Sequence, residues 1–568
     1  MWFVKWIVLI FYFGNIWSVS PASSNSPVYL CDSKIFCQGP IFETMFRLRI
    51  QNESVDYSGM TLKKSAAETL GDFAAQFPNP EDVSGDDMRR FIFDHFQKRD
   101  QELIACKPGD WNTEPETFEL IKDPKYKAWA HDLNNIWLQL CRQMSKTVLK
   151  YPDRTVLVYV PNEFVVPGGI FDHYYYWDTY WIIKGLLASK MYNTSKGMIH
   201  NFAYLLDHLG FIPNGGLVYY LQRSQPPFFI PMVYEYYTET LDLDFVAEMM
   251  PYMIKELDFW FKNRTVNVRV GIKNYTAYRY CTPSNAPNPW DYNLAQQLAP
   301  ESRPKFYQDS ASAAESGIDF SGRFFGNQED KITIRTTDVL PVDLNAYLCW
   351  ANDILHMLYL ELGNHEEAKK FLQKREESRE MLETLFYNES AGTWFDRDYK
   401  TGVHIPYFYA SNAVPLFTGC YDTLDMRKSK RLYDYMKSVG ALSFPMGIPS
   451  SMVDTGQQWD LPNGWAPHNH MIIEGLRKSG HPEMQKHAFE LAKKWLKVNY
   501  LVYKKTGHMY EKYNVTDTTY QPGGGGDYQV QIGFGWTNGA ALDLLRTYGD
   551  RLVAPPDSLT SGPYNSFV

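Results

Sequence analysis

Apolar residues recur every three or four positions over several long stretches of the chain, which is the spacing of an amphipathic helix. The pattern predicts helices over residues 126–149, 240–261, 344–362, 366–387 and 481–503. Between them lie long loops rich in glycine, proline and aromatic residues. Because long loops on a rigid scaffold often carry function, we look for candidate chemistry there.

Two late segments share a plan in which a Gly-Trp loop precedes a helix-like stretch that stops near a glycine. They cover residues 464–480 and 535–549. A glycine just after the last periodic residue is a common helix end. A loop-then-helix unit repeated around a ring builds an α/α toroid, although two units by themselves predict only a mostly α-helical protein.

The two ends of the chain differ from its middle. Residues 1–17 contain one lysine and a short apolar run, and small residues follow, which predicts a signal peptide over 1–22. The run is shorter than the roughly 20 residues of a membrane span, and an uncleaved anchor is the alternative. We predict one large domain over 23–555, since no linker interrupts it, and a polar C-terminal tail over 556–568. A secreted protein without a stable membrane anchor is therefore expected.

Asparagines and cysteines add to this expectation. Six N-x-Ser/Thr sequons suit a glycoprotein of the secretory route, and they stand at Asn52, Asn193, Asn263, Asn274, Asn388 and Asn514. The seven cysteines form no CxxC pair and no cluster with metal-ligand spacing, so no metal site is predicted. Their odd number requires a free thiol or an intermolecular bond. Cys31 and Cys37 are near enough in sequence to pair, and we favour buried thiols with one or two disulfides.

Composition and charge exclude one class of protein and suggest another. The net charge is −9 and there is no run of Lys or Arg. A nucleic-acid-binding protein needs a basic face to displace counterions, so that class is not expected. Aromatic residues make up 16% of the chain. Composition alone favours a large core as the reason for this content. The more specific alternative is a carbohydrate site, where aromatic rings stack on the apolar faces of sugars.

Four loops combine acids, aromatic residues and glycines, over residues 167–180, 315–323, 457–467 and 511–536. Cleavage of a glycosidic bond needs one carboxylic acid to protonate the leaving oxygen and a second carboxylate to activate water or attack carbon. Any one of these acids, taken singly, is more commonly a helix cap or a surface charge. The four glycines at 523–526 lack the lysine of a P-loop and the GxGxxG spacing, so they do not predict a phosphate site.

Residues 458–467 match in full one of the two trehalase signature patterns, Q-W-D-x-P-x-G-W-x-P. Other blocks, such as 223–227, 341–346 and 533–539, are similar to the same family, and the similarity spans roughly residues 30–550. The chain thus resembles the α,α-trehalases of glycoside hydrolase family 37. The resemblance implies an all-α (α/α)6 toroid with long loops forming the active-site pocket. It also implies hydrolysis of α,α-trehalose to two glucose molecules with inversion, and no metal or organic cofactor.

The resemblance also implies roles for particular residues. Asp319, in the E-S-G-x-D-F block, matches the general acid of the family, and Glu511, in E-K-Y, matches its general base. In an inverting enzyme these carboxyl groups lie roughly 6.5–9.5 Å apart, and burial or a nearby negative charge keeps the acid protonated. The implied substrate-binding residues are Trp177, Asp178, Asn214, Arg223, Ser224, Gln225, Gly317 and Asp527.

The chain departs from the family pattern at several positions. In the other trehalase signature, Ile170 replaces an arginine and His173 replaces a glutamate. In an R-P-E-S-Y block of the family, Asn288 replaces the arginine and Trp290 replaces the glutamate. Arg303 is an alternative match for the second arginine. Three functions therefore stay open: a working trehalase, a catalytically weakened or inactive trehalose-binding pseudoenzyme, and a glycosidase of altered disaccharide specificity.

Overall fold

The computed structural model describes residues 26–48, 50, 59–99 and 101–556. The predicted signal peptide (1–22), the sequon at Asn52 and all but the first residue of the predicted tail (556–568) lie outside these residues. Among the helices described, none is long and apolar enough to cross a membrane.

The described helices are α1 (Pro40–Arg47), α2 (Ala66–Gln76), α3 (Gly85–His95), α4 (Pro124–Leu140), α5 (Lys146–Lys150), α6 (Asp178–Ala188), α7 (Tyr192–Leu209), α8 (Phe229–Thr240), α9 (Leu243–Arg264), α10 (Tyr292–Ala295), α11 (Arg303–Glu315), α12 (Val342–Glu361), α13 (His365–Leu385), α14 (Val414–Thr418), α15 (Met426–Ser438), α16 (Ala466–Lys478), α17 (Pro482–Thr506) and α18 (Gly535–Tyr548). The described strands are β1 (Met60–Leu62), β2 (Phe96–Lys98), β3 (Leu103–Ala105), β4 (Cys141–Met144), β5 (Phe164–Val165), β6 (Thr265–Val270), β7 (Lys273–Tyr278), β8 (Val339–Leu340), β9 (Tyr387–Asn388), β10 (Thr393–Trp394), β11 (Arg397–Asp398), β12 (Asn463–Trp465) and β13 (Lys512–Asn514).

The strands form short two- or three-stranded sheets. All of their pairings are antiparallel: β1 with β2, β3 with β4, β4 with β5, β6 with β7, β8 with β11, β9 with β10, and β12 with β13. No described sheet closes on itself or forms a layer, so the helices build the fold.

Six helices, α6, α8, α12, α14, α16 and α18, pack in a closed ring in which the last returns to the first. A second set, α4, α7, α9, α13, α15 and α17, alternates with them along the chain and lies outside. In this outer set, α9 packs on α8 and α12, α13 on α12, and α17 on α16 and α18. The result is the (α/α)6 toroid that the resemblance implied.

Burial of the two sets follows their sequence patterns. Inner helix α6 is apolar on nearly every side and almost all of its residues are buried. Outer helix α13 buries one stripe, which includes Phe371, Met381 and Leu385, and exposes its charged residues. A helix that is apolar all round must be covered on all sides, whereas a striped helix needs cover on one.

Two glycines allow the first and last inner helices to meet. A Cβ atom on Gly539 would lie 1.9 Å from the carbonyl oxygen of Trp181, and one on Gly185 would lie 2.5 Å from the Cα of Gly539. No side chain fits at either position. Closure of the ring between α6 and α18 therefore depends on glycine at both.

Most of the periodic segments are helices as predicted, and one is interrupted. The segments 240–261, 344–362, 366–387 and 481–503 correspond to α9, α12, α13 and α17, and the two Gly-Trp loops precede the inner helices α16 and α18. The prediction of one helix over 126–149 is wrong at residues 141–145, between α4 and α5. There the chain continues as β4, which pairs with both β3 and β5, and Cys141 bonds to Cys106. Tertiary pairing thus overrides the local periodicity.

Three disulfides are present, joining Cys31 to Cys37, Cys106 to Cys141, and Cys349 to Cys420. The prediction of one or two bridges is therefore wrong, and the predicted local pair at Cys31 and Cys37 is confirmed. Cys281 is the free thiol that the odd number of cysteines required.

Candidate active site

A cavity opens at the end of the ring where several inner helices begin. Trp177 and Asp178 start α6, Trp465 precedes α16, and Trp536 lies in the first turn of α18. The cavity has a volume of about 90 Å³ and is open to solvent at its mouth. Its lining residues are Phe171, Tyr175, Trp177, Asp178, Asn214, Tyr220, Arg223, Gln225, Gly317, Asp319, Gln458, Trp459, Trp465, Glu511, Tyr528, Phe534 and Trp536.

Eight of the ten residues implied by the resemblance line this cavity, namely Trp177, Asp178, Asn214, Arg223, Gln225, Gly317, Asp319 and Glu511. The hydroxyl of Ser224 donates to the carbonyl of Ile212 (2.7 Å) and its N–H donates to Glu315, so this residue lies behind the wall. The side chain of Asp527 is 65% exposed and lies 3.6 Å from Lys331. The structure does not bring these two residues to the lining.

Asp319 lies in the loop that follows α11, and a glycine brings this loop close to α6. Gly317 has a φ of +74°, and a Cβ atom there would lie 2.8 Å from the ring of Trp177. Burial raises the pKa of Asp319 to about 6, and the nearby cations Arg223 and Lys331 oppose the rise. The carboxyl group of Asp319 therefore keeps its proton to a higher pH than an exposed aspartate does.

Glu511 is buried, and its two carboxylate oxygens differ. Oε1 accepts a hydrogen bond from the hydroxyl of Tyr528 (2.6 Å), whereas Oε2 has no hydrogen-bond partner in the described part of the chain. The ammonium of Lys512 is 3.7 Å from Oε2. Burial raises the pKa of Glu511 to about 7, against the lowering effect of Lys512.

Asp178 is a third carboxyl group in the cavity. Burial, followed by the charges of Glu511 and Asp319, holds its pKa well above the usual range. Because the three groups repel one another when ionised, each charge favours the protonated form of its neighbours. Asp178 therefore holds a proton more readily than an exposed carboxyl group does, and in that form it can donate a hydrogen bond.

The signature motif joins the loops of the two predicted catalytic residues. The side chain of Gln458 donates to the main-chain carbonyl of Asp319 (2.5 Å) and accepts from the ammonium of Lys512 (2.9 Å). Asp460 accepts a hydrogen bond from the hydroxyl of Ser321 (2.6 Å), which fixes the segment after Asp319. Pairing of β12 with β13 sets the end of the motif beside the Glu511 loop. The motif therefore aligns two segments that are distant in sequence.

Four tryptophans form much of the cavity wall. Trp459 and Trp465 stack with ring centroids 3.9 Å apart and planes 5° apart, and Trp177 meets Trp536 edge to face at 5.8 Å. Flat apolar walls of this kind suit the apolar faces of sugar rings. Sequence reasoning assigned only Trp177, although the density of aromatic residues in the candidate loops was a signal for the other three.

Polar lining groups are held in fixed directions. Arg223 donates from Nε to Asn214 (2.7 Å), and its guanidinium lies 4.9 Å from the centre of the Tyr220 ring. Gln225 accepts a hydrogen bond from the main-chain N–H of Trp177 (3.1 Å). These contacts leave the remaining guanidinium N–H groups of Arg223 available to a ligand hydroxyl or carboxylate.

The residues that depart from the family pattern are not themselves among the lining residues. Ile170 is 60% exposed, and His173 is buried with its Nδ1 3.3 Å from Asp172. Asn288 is buried and donates to Asp291 (3.2 Å). The guanidinium of Arg303 donates to main-chain carbonyls of its own neighbourhood, so it does not reach into the cavity.

Comparisons with known proteins identify the family of the chain. The trehalase family model matches residues 49–549. A trehalase of Oryctolagus cuniculus is 41% identical over 532 residues, 92% of this chain and 91% of the relative. A trehalase of Apis mellifera is 36% identical over 564 residues, 97% and 88% of the two chains. The solved neutral trehalase of Saccharomyces cerevisiae has a TM-score of 0.56 at 22% identity, with 68% of this chain and 73% of that chain covered, which shows a shared fold.

Proposed function

The chain belongs to the trehalase family, and from this premise we propose that it hydrolyses α,α-trehalose to two glucose molecules, with Asp319 as general acid and Glu511 as general base. One observation carries the assignment of roles. Two carboxyl groups from distant loops line the same aromatic cavity, and the pKa of each is raised, to about 6 and about 7.

The reaction exchanges one bond for another. Asp319 gives its proton to the oxygen between the two sugar rings while the bond from that oxygen to one anomeric carbon breaks. A water molecule attacks the same carbon from the opposite face, and Glu511 takes the proton that this water loses. Attack from the far side inverts the configuration, so one glucose leaves as the β anomer and the other keeps its α configuration.

Glu511 is suited to activate water because one of its oxygens is unoccupied. Oε2 is buried without a hydrogen-bond partner among the described residues. A buried acceptor left unpaired costs roughly 1–3 kcal/mol, and a water molecule bound between Glu511 and the sugar would relieve that cost. The hydroxyl of Tyr528 meanwhile holds Oε1 in place.

The protonation of the pair sets the working pH. Catalysis needs one proton on the pair, and the two values, about 6 for Asp319 and about 7 for Glu511, place that state between them. We therefore expect a bell-shaped pH profile whose limbs belong to the pair rather than to either residue.

The cavity offers both kinds of contact that a sugar needs. The tryptophan walls receive the apolar faces of the rings, while Arg223, Asn214 and Asp178 present polar groups to hydroxyls. The pseudoenzyme and the glycosidase of altered specificity are not favoured. Ile170 and Asn288, the replacements that suggested them, are not among the lining residues.

We further propose that the protein is secreted and glycosylated. Three disulfides fit an oxidising compartment, and the sequon residues Asn193, Asn263 and Asn274 are exposed. N-terminal sequencing of protein recovered from the medium, together with the mass lost on enzymatic deglycosylation, tests both points. Protein retained in the cell with an intact N-terminus would contradict secretion.

Glucose release from trehalose tests the function directly. The protein is compared with Asp319→Asn, Glu511→Gln and the control Glu329→Gln, whose residue is exposed and outside the cavity. Loss of a general acid or base should lower kcat by about 10²–10⁴-fold in the first two variants, with trehalose binding retained in calorimetry. The control should match the unaltered protein. Binding without any glucose release by the unaltered protein would instead identify a pseudoenzyme.

A further inference from the structure

Lys331 is a nearly buried cation beside the cavity that neither the signature motifs nor the lining residues include. It starts the short 3-10 turn Lys331–Thr333, and its side chain is 11% exposed. The chain folds back here through a bridge between Phe325 and Ile334. As a result, the ammonium of Lys331 lies 3.5 Å from the centre of the Phe320 ring. Phe320 is the residue that follows Asp319 in the sequence.

Two carboxylates hold this ammonium. Asp291 lies 3.1 Å from Nζ and Asp527 lies 3.6 Å from it. Asp291 is buried, and its other oxygen accepts hydrogen bonds from Ser310 (2.6 Å) and Asn288 (3.2 Å), so its position is fixed. Asp527 is largely exposed, and solvent screening makes its pairing weaker. Lys331 is therefore anchored chiefly by Asp291.

The contacts of Lys331 connect three segments around the catalytic pair. Asp291 belongs to the segment before α10, Phe320 to the loop of the acid, and Asp527 to the glycine-rich loop. The next residue in that loop, Tyr528, donates its hydroxyl to Glu511 (2.6 Å). One ammonium thus contacts both the acid's loop and the loop that orients the base.

The charge of Lys331 also opposes an excess of negative groups. The carboxylates that act on Asp319 are Asp178, Glu511 and Asp527, and the cations are Arg223, Lys331 and Lys512. The phenols of Tyr220 and Tyr528 also face it. Arg223 and Lys331 lower the pKa of Asp319 against the effect of burial. Without Lys331, one of the three cations that act on Asp319 would be lost.

We propose that Lys331 is a positioning residue of the reaction, which clamps the acid's loop and the glycine-rich loop to Asp291 and supplies positive charge beside Asp319. The inference rests on the proposed function, because it assigns to Lys331 an effect on that reaction. It adds a residue outside the cavity lining to the groups that determine the rate and its pH dependence.

The test compares Lys331→Met, which keeps the length of the side chain without its charge, with Lys331→Arg, which keeps the charge. The matched control is Lys196→Met, because the ammonium of Lys196 also pairs with a carboxylate, Asp242 (2.7 Å), and lies 4.7 Å from the ring of Phe245 on the outer helices. Values of kcat and KM are measured from about pH 4 to pH 9, and thermal melting checks folding.

Lys331→Met should lose about tenfold in kcat/KM, the size expected for one charge-assisted contact. Both limbs of its profile should move to higher pH, because a carboxylic acid that loses a nearby cation holds its proton more tightly. Lys331→Arg should keep the limbs in place. Lys196→Met should leave both rate and limbs unchanged.

Equal losses in the Met and Arg variants, with unmoved limbs, would overturn the proposal, since a purely structural role predicts that result. If the unaltered protein released no glucose, the proposed function would fail on its own. The charge of Lys331 would then be tested by the pH dependence of trehalose binding in calorimetry. Binding curves of Lys331→Met that superimpose on those of the unaltered protein would refute the electrostatic role independently.

Discussion

Gln458 gives the sharpest test of how the signature motif contributes to activity. Its buried amide donates to the main-chain carbonyl of Asp319 (2.5 Å) and accepts from the buried ammonium of Lys512 (2.9 Å). Methionine at this position keeps the volume and removes both hydrogen bonds. A bond to a charged group contributes roughly 1.5–3 kcal/mol and a neutral one about 1 kcal/mol, so Gln458→Met removes about 2–4 kcal/mol.

The effect on activity depends on whether the two lost hydrogen bonds stabilise the transition state. If they do, kcat/KM falls roughly 30- to 1,000-fold. The freed ammonium of Lys512 keeps its ion pair with Glu511, at 3.7 Å, so it should approach the carboxylate and lower its pKa. The limbs of the pH profile should therefore move to lower pH.

The assay is glucose release across pH, with urea unfolding to measure the loss of stability separately. Gln485→Met is a suitable control, since Gln485 lies on the outer helix α17 and donates only to a main-chain carbonyl at the surface (3.2 Å). A Gln458→Met variant with kcat/KM within threefold of the unaltered protein and unmoved limbs would refute the idea that the amide aligns the two loops.

Two further predictions concern the catalytic loops. Gly317→Ala places a methyl group at a φ of +74° and 2.8 Å from the ring of Trp177. The left-handed backbone alone costs roughly 1–2 kcal/mol, so kcat/KM should fall at least about tenfold. Unchanged kinetics would contradict the close approach of the two segments. Asp319→Asn and Glu511→Gln should each raise the free energy of unfolding, relative to the unaltered protein, by up to about 3 kcal/mol more at about pH 8 than at about pH 4. The folded pKa values, raised from 3.8 to about 6 and from 4.5 to about 7, mean that the native state binds protons more tightly than the unfolded chain, so stability is lost as pH rises through this range. Urea unfolding of each variant beside the unaltered protein measures this difference, and an equal gain at both pH values would contradict it.

The sequence contained the helices but not their arrangement. Periodicity locates α12, α13 and α17 because each segment is long and has a clear apolar pattern. It fails after Leu140, because the residues of β4 satisfy the same spacing while two neighbouring strands and a disulfide compete for them. Which helices lie inside the ring is decided by packing between segments hundreds of residues apart, which no local pattern records.

Site residues could be predicted where a sequence motif identifies them, but not where their role arises only from contacts made in the folded chain. Asp319 and Glu511 were assigned by resemblance, and the structure brings both to one cavity. Gln458 lay within the matched motif without a role, because its role consists of contacts with loops distant in sequence. Lys331 carried no signal at all, since a single lysine in a polar loop usually faces solvent. Its burial depends on Asp291, which is adjacent to it only in the folded chain.

The electrostatics of the cavity result from two opposed effects of unequal size. Inner helices begin at the cavity, and the positive ends of their dipoles favour ionised carboxylates there by about 0.3–1 kcal/mol each. Burial acts in the other direction, and a pKa raised from 3.8 to about 6 at Asp319 corresponds to a net effect of about 3 kcal/mol. Burial therefore prevails, and the nearby cations limit the rise in pKa. Arg223 and Lys331 beside Asp319, and Lys512 beside Glu511, reduce the effect of burial until the pair shares a single proton near pH 6–7. The acid and the base in this cavity therefore titrate over the same pH range, close to neutral pH.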